Sequence, residues 1–254
     1  MKALILAGER RKRSPLLKEG LPFKALLPVC GKEMFLRVYE TLKEVPALDE
    51  IYVSAPKELY ALLKERFPGL SFRFIPQASS PSTSVFFALE EMGGYPVFLT
   101  TADHALLTPE IVSFFLGECL ARQGALGVGV VPFSLVKAAY PSASRTTYRL
   151  KEGRFCSANL YFLGSCEVKR ALYFWRQVEE RRKNPLKIVA AFGPLALLRY
   201  LWGRLDLEEA FLLASKVLGC EVFPVSLPFA RAAVDVDDEE DLLLAQEILS
   251  CKER

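Results

Sequence analysis

Between Lys2 and Gly124 the chain alternates four times between a short apolar run and a longer segment with apolar residues at helical spacing. After Lys2, "KALILAG" is a continuous apolar run, as expected of a parallel strand covered on both faces. "GKEMFLRVYETLKEV" follows, with Met34, Phe35, Val38, Leu42 and Val45 on one side of a helix. "EIYVSAP" with "KELYALLKERF", "SFRFIPQ" with "SPSTSVFFALEEM", and "YPVFLTTAD" with "TPEIVSFFLGECLARQG" repeat the pair. Hydroxyl residues open the third helix. In the fourth, Thr108 is the N-cap candidate, Pro109 suits the first helical position and Glu110 the first turn. This pattern predicts an α/β chain, a three-layer, doubly wound, mostly parallel sheet. Ligands of such sheets bind beyond the carboxyl ends of the strands. The loops after Gly8, Gln77 and Thr101 are therefore expected on one rim.

The second half is less regular. "ALGVGVVPF" reads as a strand, and "SRTTYRLKEGRFCSANLYFL" as a hairpin turning at Lys151-Glu152-Gly153. Helices are expected from about Val168 to Arg182 and from about Leu186 to Leu218, the second interrupted at Gly193-Pro194 and near Gly203. "CEVFPVS" reads as a late strand, and "VDVDDEEDLLLAQEILSCKER" as a short strand leading into a helix. No repeat, linker or low-complexity stretch divides the chain. The expectation is a single domain over 1–254 with a helical insert at 168–218.

Composition narrows the function. The net charge of +3 is too weak for a surface that binds nucleic acid as a whole, and there is no aromatic interleaving or helix-turn-helix pattern to read it locally. Six cysteines without a CxxC pair, and one histidine, argue against structural zinc and for a reduced cytoplasmic protein with free thiols. The longest apolar run, Ile188 to Leu198, is too short to span a membrane and contains Gly193-Pro194. It reads as a buried or interfacial helix pair, with a membrane-touching or lid role as the alternative, while the apolar content of the whole insert from Val168 to Leu218 reads either as a hydrophobic or lipid-linked acceptor site or as an oligomer contact, for instance of a homodimer.

Charge is concentrated just after the first strand, where Arg10, Arg11, Lys12, Arg13, Lys18 and Lys24 follow Gly8. Basic side chains and free backbone N–H groups in such a loop suit a polyphosphate, and a solvated charge run is the alternative. Neither GxGxxG nor GxxxxGK[ST] is present, which disfavours a dinucleotide dehydrogenase and a P-loop NTPase. Asp103 falls just past the fourth strand, where a carboxylate can face the ligand crevice and hold a hard cation, or simply cap a turn. His104 beside it reads as a local hydrogen-bonding residue. Near the C-terminus Asp235 and Asp237 alternate with valines and are expected on one strand face. Asp238, Glu239, Glu240 and Asp241 then suit the start of a helix.

Taken together, "LAGERRKR", "PFKALLPVCGKEM", "TADHALLT", "GRFCSANLYFL" and "DVDDEEDLLLA" resemble, in order and over nearly the whole chain, the motifs of the MobA-like nucleotidyltransferases. That superfamily opens on LAGG or LAAGxGTR, continues with PKALLPVxGKPM and closes on a DTPEDL helix start. It includes the molybdenum-cofactor guanylyl- and cytidylyltransferases and the sugar-phosphate nucleotidyltransferases. The resemblance implies a Rossmann-like sheet of the GT-A nucleotidyltransferase type. It also implies a Mg2+-dependent transfer of NMP from a nucleoside triphosphate to a phosphorylated small-molecule acceptor, releasing pyrophosphate.

Residue by residue, the resemblance implies that Leu6, Ala7, Gly8, Glu9 and Arg10 form the nucleotide loop. Arg13 and Lys24 would contact phosphates, and Asp103 would bind metal and nucleotide. Ser82, Thr83 and Ser84 would lie at the nucleobase, and Asn159 at the acceptor. The second metal ligand would be Asp237, with Asp235 as the alternative. Glu9 and Arg11 stand where the family has glycines, and side chains there narrow the backbone approach. A nucleotide- or sugar-nucleotide-binding relative with weak or no turnover is therefore the second reading.

Overall fold

The computed structural model describes residues 1–8, 16, 21–122, 124–178 and 185–250. In chain order the elements are β1 Lys2–Leu6, β2 Pro28–Val29, β3 Lys32–Glu33, α1 Met34–Lys43, β4 Glu50–Ala55, α2 Lys57–Arg66, β5 Arg73–Pro76, α3 Pro81–Met92, β6 Val97–Thr101 and α4 Pro109–Arg122. There follow β7 Leu126–Pro132, α5 Phe133–Ala139, β8 Tyr148–Leu150, β9 Gly153–Leu163, α6 Val168–Val178, α7 Pro185–Ala191, α8 Pro194–Leu201, α9 Leu207–Leu218, β10 Val222–Ser226 and α10 Glu239–Ser250. The chain forms two compact units, residues 1–113 with 234–254 and residues 114–233.

In the first unit β6, β1, β4 and β5 lie side by side and all parallel. Ala3, Leu4 and Ile5 of β1 are fully buried, as a central strand between two parallel neighbours requires. The apolar stripe of α1 is buried as its spacing predicts: Met34, Phe35, Val38 and Leu42 are all inaccessible. Ser80 caps α3, its Oγ accepting from Thr83 N at 3.3 Å, and Pro81 follows at the first helical position. Thr108 Oγ1 likewise accepts from Ile111 N at the start of α4.

In the second unit β10 pairs parallel with β7, and β7 and β8 each pair antiparallel with β9. The hairpin turns at Lys151-Glu152, with Leu150 paired to Gly153. Opposite Gly129 the β7–β9 register shifts between Val128 and Val130, and Asn159 sits at this irregularity with φ 50°. The helices break at Gly193 (φ 104°) and Gly203 (φ 64°), as the glycines in the sequence suggest. Leu150, Val189, Ala196 and Leu205 form one core beneath α7 and α8. The helix expected over about 168–182 is described to Val178, and 179–184 lie outside the described residues.

With both units counted, the eight strands β1 and β4 to β10 are mostly parallel, and the fold is α/β. Two elements depart from expectation. "VDVD" is not a strand: residues 234–237 belong to no ladder, because Val236 N donates to the Asp103 carbonyl at 3.1 Å and the segment follows a turn, not an edge. Residues 133–139 form α5, where the sequence pattern shows only the end of a strand. Phe133 and Pro132 look strand-like, and the following "SLVKAA" is too short to show a helical period.

Candidate functional site

The carboxyl ends of the first unit's strands form one rim. Ala7 N donates to Ser54 O and Ala102 N to Leu6 O, each at 2.9 Å, so the segments after β1 and β6 leave the sheet together. Gln77 N donates to Ala55 O in the same way. Gln77 also packs against Gly8: a Cβ there would stand 2.7 Å from Gln77 Oε1. The sequence reading put Gln77 on this rim but gave it no role. A side chain at residue 8 would force the Gln77 amide to move.

Lys24 begins a single 3-10 turn, Lys24–Leu26, in which Leu27 N returns to Lys24 O at 2.9 Å. Ala25 and Leu26 are buried and hold this turn to the core. The chain then reverses through Cys30 (φ 48°) and Gly31 (φ 74°) between β2 and β3. Two successive left-handed residues make the tight turn that matches strand twist, so glycine is the natural second residue. Arg37 of α1 donates to Val29 O and ties the hairpin down.

Asp103 follows β6 in a turn whose neighbours Ala102, His104, Ala105 and Leu106 are all buried. Thr41 Oγ1 of α1 donates to Leu107 O at 3.1 Å and fixes that turn from below. Asp237 is positioned from the other direction. Asp238 Oδ1 accepts from Asp241 N at 3.0 Å and caps α10, while Asp241 Oδ2 accepts from Asp237 N at 3.0 Å. Asp241 is itself buried. The sequence reading assigned it to capping but not to holding Asp237 in place.

These three elements bring one ammonium between two carboxylates. Lys24 Nζ donates to Asp103 Oδ2 at 2.8 Å and to Asp237 Oδ1 at 2.7 Å. The side chains are 15%, 23% and 37% exposed respectively, a site open at one side. Burial draws the Lys24 pKa down, but the charges of Asp103 and Asp237 and the hydrogen bonds to them outweigh it and hold it above 10.5. Asp103 Oδ1 is buried and has no hydrogen-bond partner among the described residues. Among the described residues no group of three or more His, Cys, Asp or Glu side chains gathers as a complete metal cage.

Of the other predicted residues, Leu6, Ala7 and Gly8 lie on the rim, while Glu9, Arg10 and Arg13 lie outside the described residues. Ser82, Thr83 and Ser84 are buried in the first turn of α3. Ser84 Oγ accepts from Ala78 N at 2.9 Å, and the Ser82 and Thr83 hydroxyls meet Ser80 Oγ at 3.2 and 2.9 Å. These hydroxyls thus shape the loop after β5. Asp235, the alternative to Asp237, stands two residues upstream and is half-buried. Asn159 belongs to the second unit, and its left-handed backbone is one that asparagine tolerates better than most residues. Ser54 and Thr101, both in register with Leu6, carry buried hydroxyls without a hydrogen-bond partner among the described residues. Nothing in a single sequence marks such positions, because the row they share exists only once the strands are paired.

Residues 3–147 match the family model of the MobA-like NTP transferase domain. A hypothetical transferase from Thermus thermophilus is 32% identical over 95% of this chain and 100% of its own, with a TM-score of 0.79. A CMP:2-keto-3-deoxy-manno-octonic acid synthetase complexed with CTP superposes with a TM-score of 0.60 at 16% identity, covering 99% and 100% of the two chains. A 2-C-methyl-D-erythritol 4-phosphate cytidylyltransferase, also from Thermus thermophilus, gives 0.55 at 17% identity, covering 98% of each. The latter two show a shared fold. No curated protein matches the chain.

Proposed function

This chain belongs to the MobA-like NTP transferase family, and on that premise we propose that it moves NMP from a nucleoside triphosphate to a phosphorylated small-molecule acceptor, with magnesium and with release of pyrophosphate. The observation that carries the reading is the meeting of Lys24, Asp103 and Asp237 on the rim where such sheets bind ligands. An acceptor phosphate oxygen attacks the α-phosphorus in line. The bond from that phosphorus to the bridging oxygen breaks, and pyrophosphate leaves with the electron pair. A phosphate acceptor is already ionised at neutral pH, so no general base is required. Positioning and charge stabilisation are what the protein has to supply.

Lys24 suits the α-phosphate and the leaving pyrophosphate, since its ammonium is already held at the rim. Arg13 is assigned the same phosphates through the family motif. Asp103 and Asp237 fit a magnesium ion: two carboxylates plus phosphate oxygens is its usual protein site, and Asp103 Oδ1, without a hydrogen-bond partner among the described residues, is an oxygen left over for a cation. Bound there, magnesium supplies neutralisation of the charge on the phosphate oxygens. Leu6, Ala7, Gly8, Glu9 and Arg10 are assigned to the phosphates. The α3 turn of Ser82, Thr83 and Ser84 is assigned to the nucleobase and Asn159 to the acceptor. A reducing, cytoplasmic setting is assigned from the six scattered cysteines, which include no CxxC pair. Among the described residues no helix is long and apolar enough to cross a membrane. The exposed Leu195, Leu198, Leu201 and Trp202 support a homodimer contact through α8, to be read by light scattering.

Lys24→Ala and Asp103→Ala should each abolish pyrophosphate release in a screen of the four NTPs against phosphorylated acceptors. Wild-type turnover in both variants would refute the site. The acidic Glu9 favours one other reading, a relative that binds nucleotide without turnover. Calorimetry showing NTP binding without Mg2+-dependent pyrophosphate release would select it.

A further inference from the structure

The same cluster has a property that its proposed chemistry does not require. The ammonium of Lys24 occupies one oxygen of Asp103 and one oxygen of Asp237, the two carboxylates assigned to metal. A divalent ion bridging them would have to take those oxygens or sit against a positive charge a few ångströms away, in a site with limited solvent screening. We propose that Lys24 is an internal counterion that keeps divalent metal off the carboxylate pair until a nucleoside triphosphate arrives. The proposal rests on the metal site described under the proposed function.

The local structure suits such an exchange. The Lys24 backbone is fixed by the buried Ala25 and Leu26 and by the Leu27 N to Lys24 O hydrogen bond. Its four-carbon stem is flexible and its charge compact, so the side chain can move while the turn does not. A triphosphate offers the ammonium a denser anion than two carboxylates. Once the ammonium turns to it, both carboxylates present their oxygens to the metal that accompanies the phosphates. Asp103 Oδ1, buried and without a hydrogen-bond partner among the described residues, then gains a cation as well. Binding of metal and nucleotide is therefore mutually reinforcing, each raising the affinity for the other by the same factor.

The test is calorimetric titration of the full chain with Mn2+ alone, without nucleotide. Lys24→Met and the near-isosteric Lys24→Gln should bind Mn2+ more tightly than wild type by about tenfold or more, within the range of ordinary site-to-site couplings. Lys24→Arg, which keeps the positive charge, should stay at the wild-type affinity. If neither folded neutral variant binds Mn2+ more tightly than wild type, the counterion role is overturned. If Lys24→Gln alone is folded, its result decides.

Two controls separate this failure from failure of the metal site itself. Adding Asp103→Asn to the tight-binding variant should return Mn2+ affinity to the wild-type level; if it stays tight, the ion sits elsewhere and both the metal site and the proposal fall. If Lys24 variants bind Mn2+ no more tightly but Asp103→Asn abolishes the Mn2+-dependent part of NTP binding, measured by equilibrium dialysis with a mixture of ATP, CTP, GTP and UTP, the counterion role falls and the metal site stands.

Discussion

Asp241→Ala tests whether the start of α10 positions Asp237. In the folded chain Asp241 Oδ2 accepts from Asp237 N at 3.0 Å, and Asp241 is 8% exposed. Removing an ionised acceptor leaves the Asp237 N–H without its partner, a loss of about 1.5–3 kcal/mol for a hydrogen bond to a charged group. Losing a negative charge from the first helical turn adds about 0.3–1 kcal/mol. Relief of repulsion among Asp238, Glu239, Glu240 and Asp241 returns part of this, because all four crowd the same turn. A net destabilisation of about 2 kcal/mol follows from these opposing magnitudes. In a chain of this size that lowers Tm by about 4–8 °C. Asp241→Asn keeps an acceptor oxygen and should lose about 1 kcal/mol, as a neutral hydrogen bond replaces a charged one. Asp237 then no longer has a fixed approach to Lys24. With Asp237 as the proposed metal ligand, turnover in Asp241→Ala should fall about 10–100-fold, with a smaller change in KM. Denaturant titration with an unchanged m-value checks the first number, and pyrophosphate release the second. A variant within about 0.5 kcal/mol of wild type and with full turnover would refute the positioning role.

Three further outcomes are expected. Because the folded-state pKa of Lys24 is raised, its ion-pair contribution is fully present below the unfolded value of about 10.4 and lost as pH rises through the folded value. The stability difference between wild type and Lys24→Met should thus be flat from neutral pH upward and shrink only in strongly alkaline solution, as measured by denaturant titration at each pH. Gly8→Ala places a Cβ 2.7 Å from Gln77 Oε1, so Gln77 must move, and Gln77→Ala should rescue part of the loss in a double-mutant cycle of thermal melts. Ser80→Ala removes the cap of α3 and should destabilise by about 0.5–2 kcal/mol in the same assay.

Much of the fold is legible because its signals are local. The apolar run of β1 and the stripe of Met34, Phe35, Val38 and Leu42 each report burial through their own spacing. Gly193 and Gly203 end helices where they stand, and Ser80 and Thr108 begin them, because left-handed φ and caps are properties of one or two residues. "VDVD" misled for the same reason. Alternating valine and aspartate is the period of a strand, but a strand needs a neighbour with a free edge, and Val236 N meets the Asp103 carbonyl of a turn instead.

The site divides along the same line. The sequence by itself determined the residue types and the end of the strand at which they lie, because a parallel α/β alternation fixes which loops share a rim. The resemblance of its motifs to the family named Lys24, Asp103 and Asp237, and left Asp235 beside Asp237 as an alternative. Only the tertiary structure brought Asp237 within 2.7 Å of a lysine 213 residues earlier in the chain. It also showed Asp241 holding that carboxylate and Gln77 covering Gly8. Ionic contacts of this kind depend on how distant segments pack, and no periodicity along the chain encodes a distance across it.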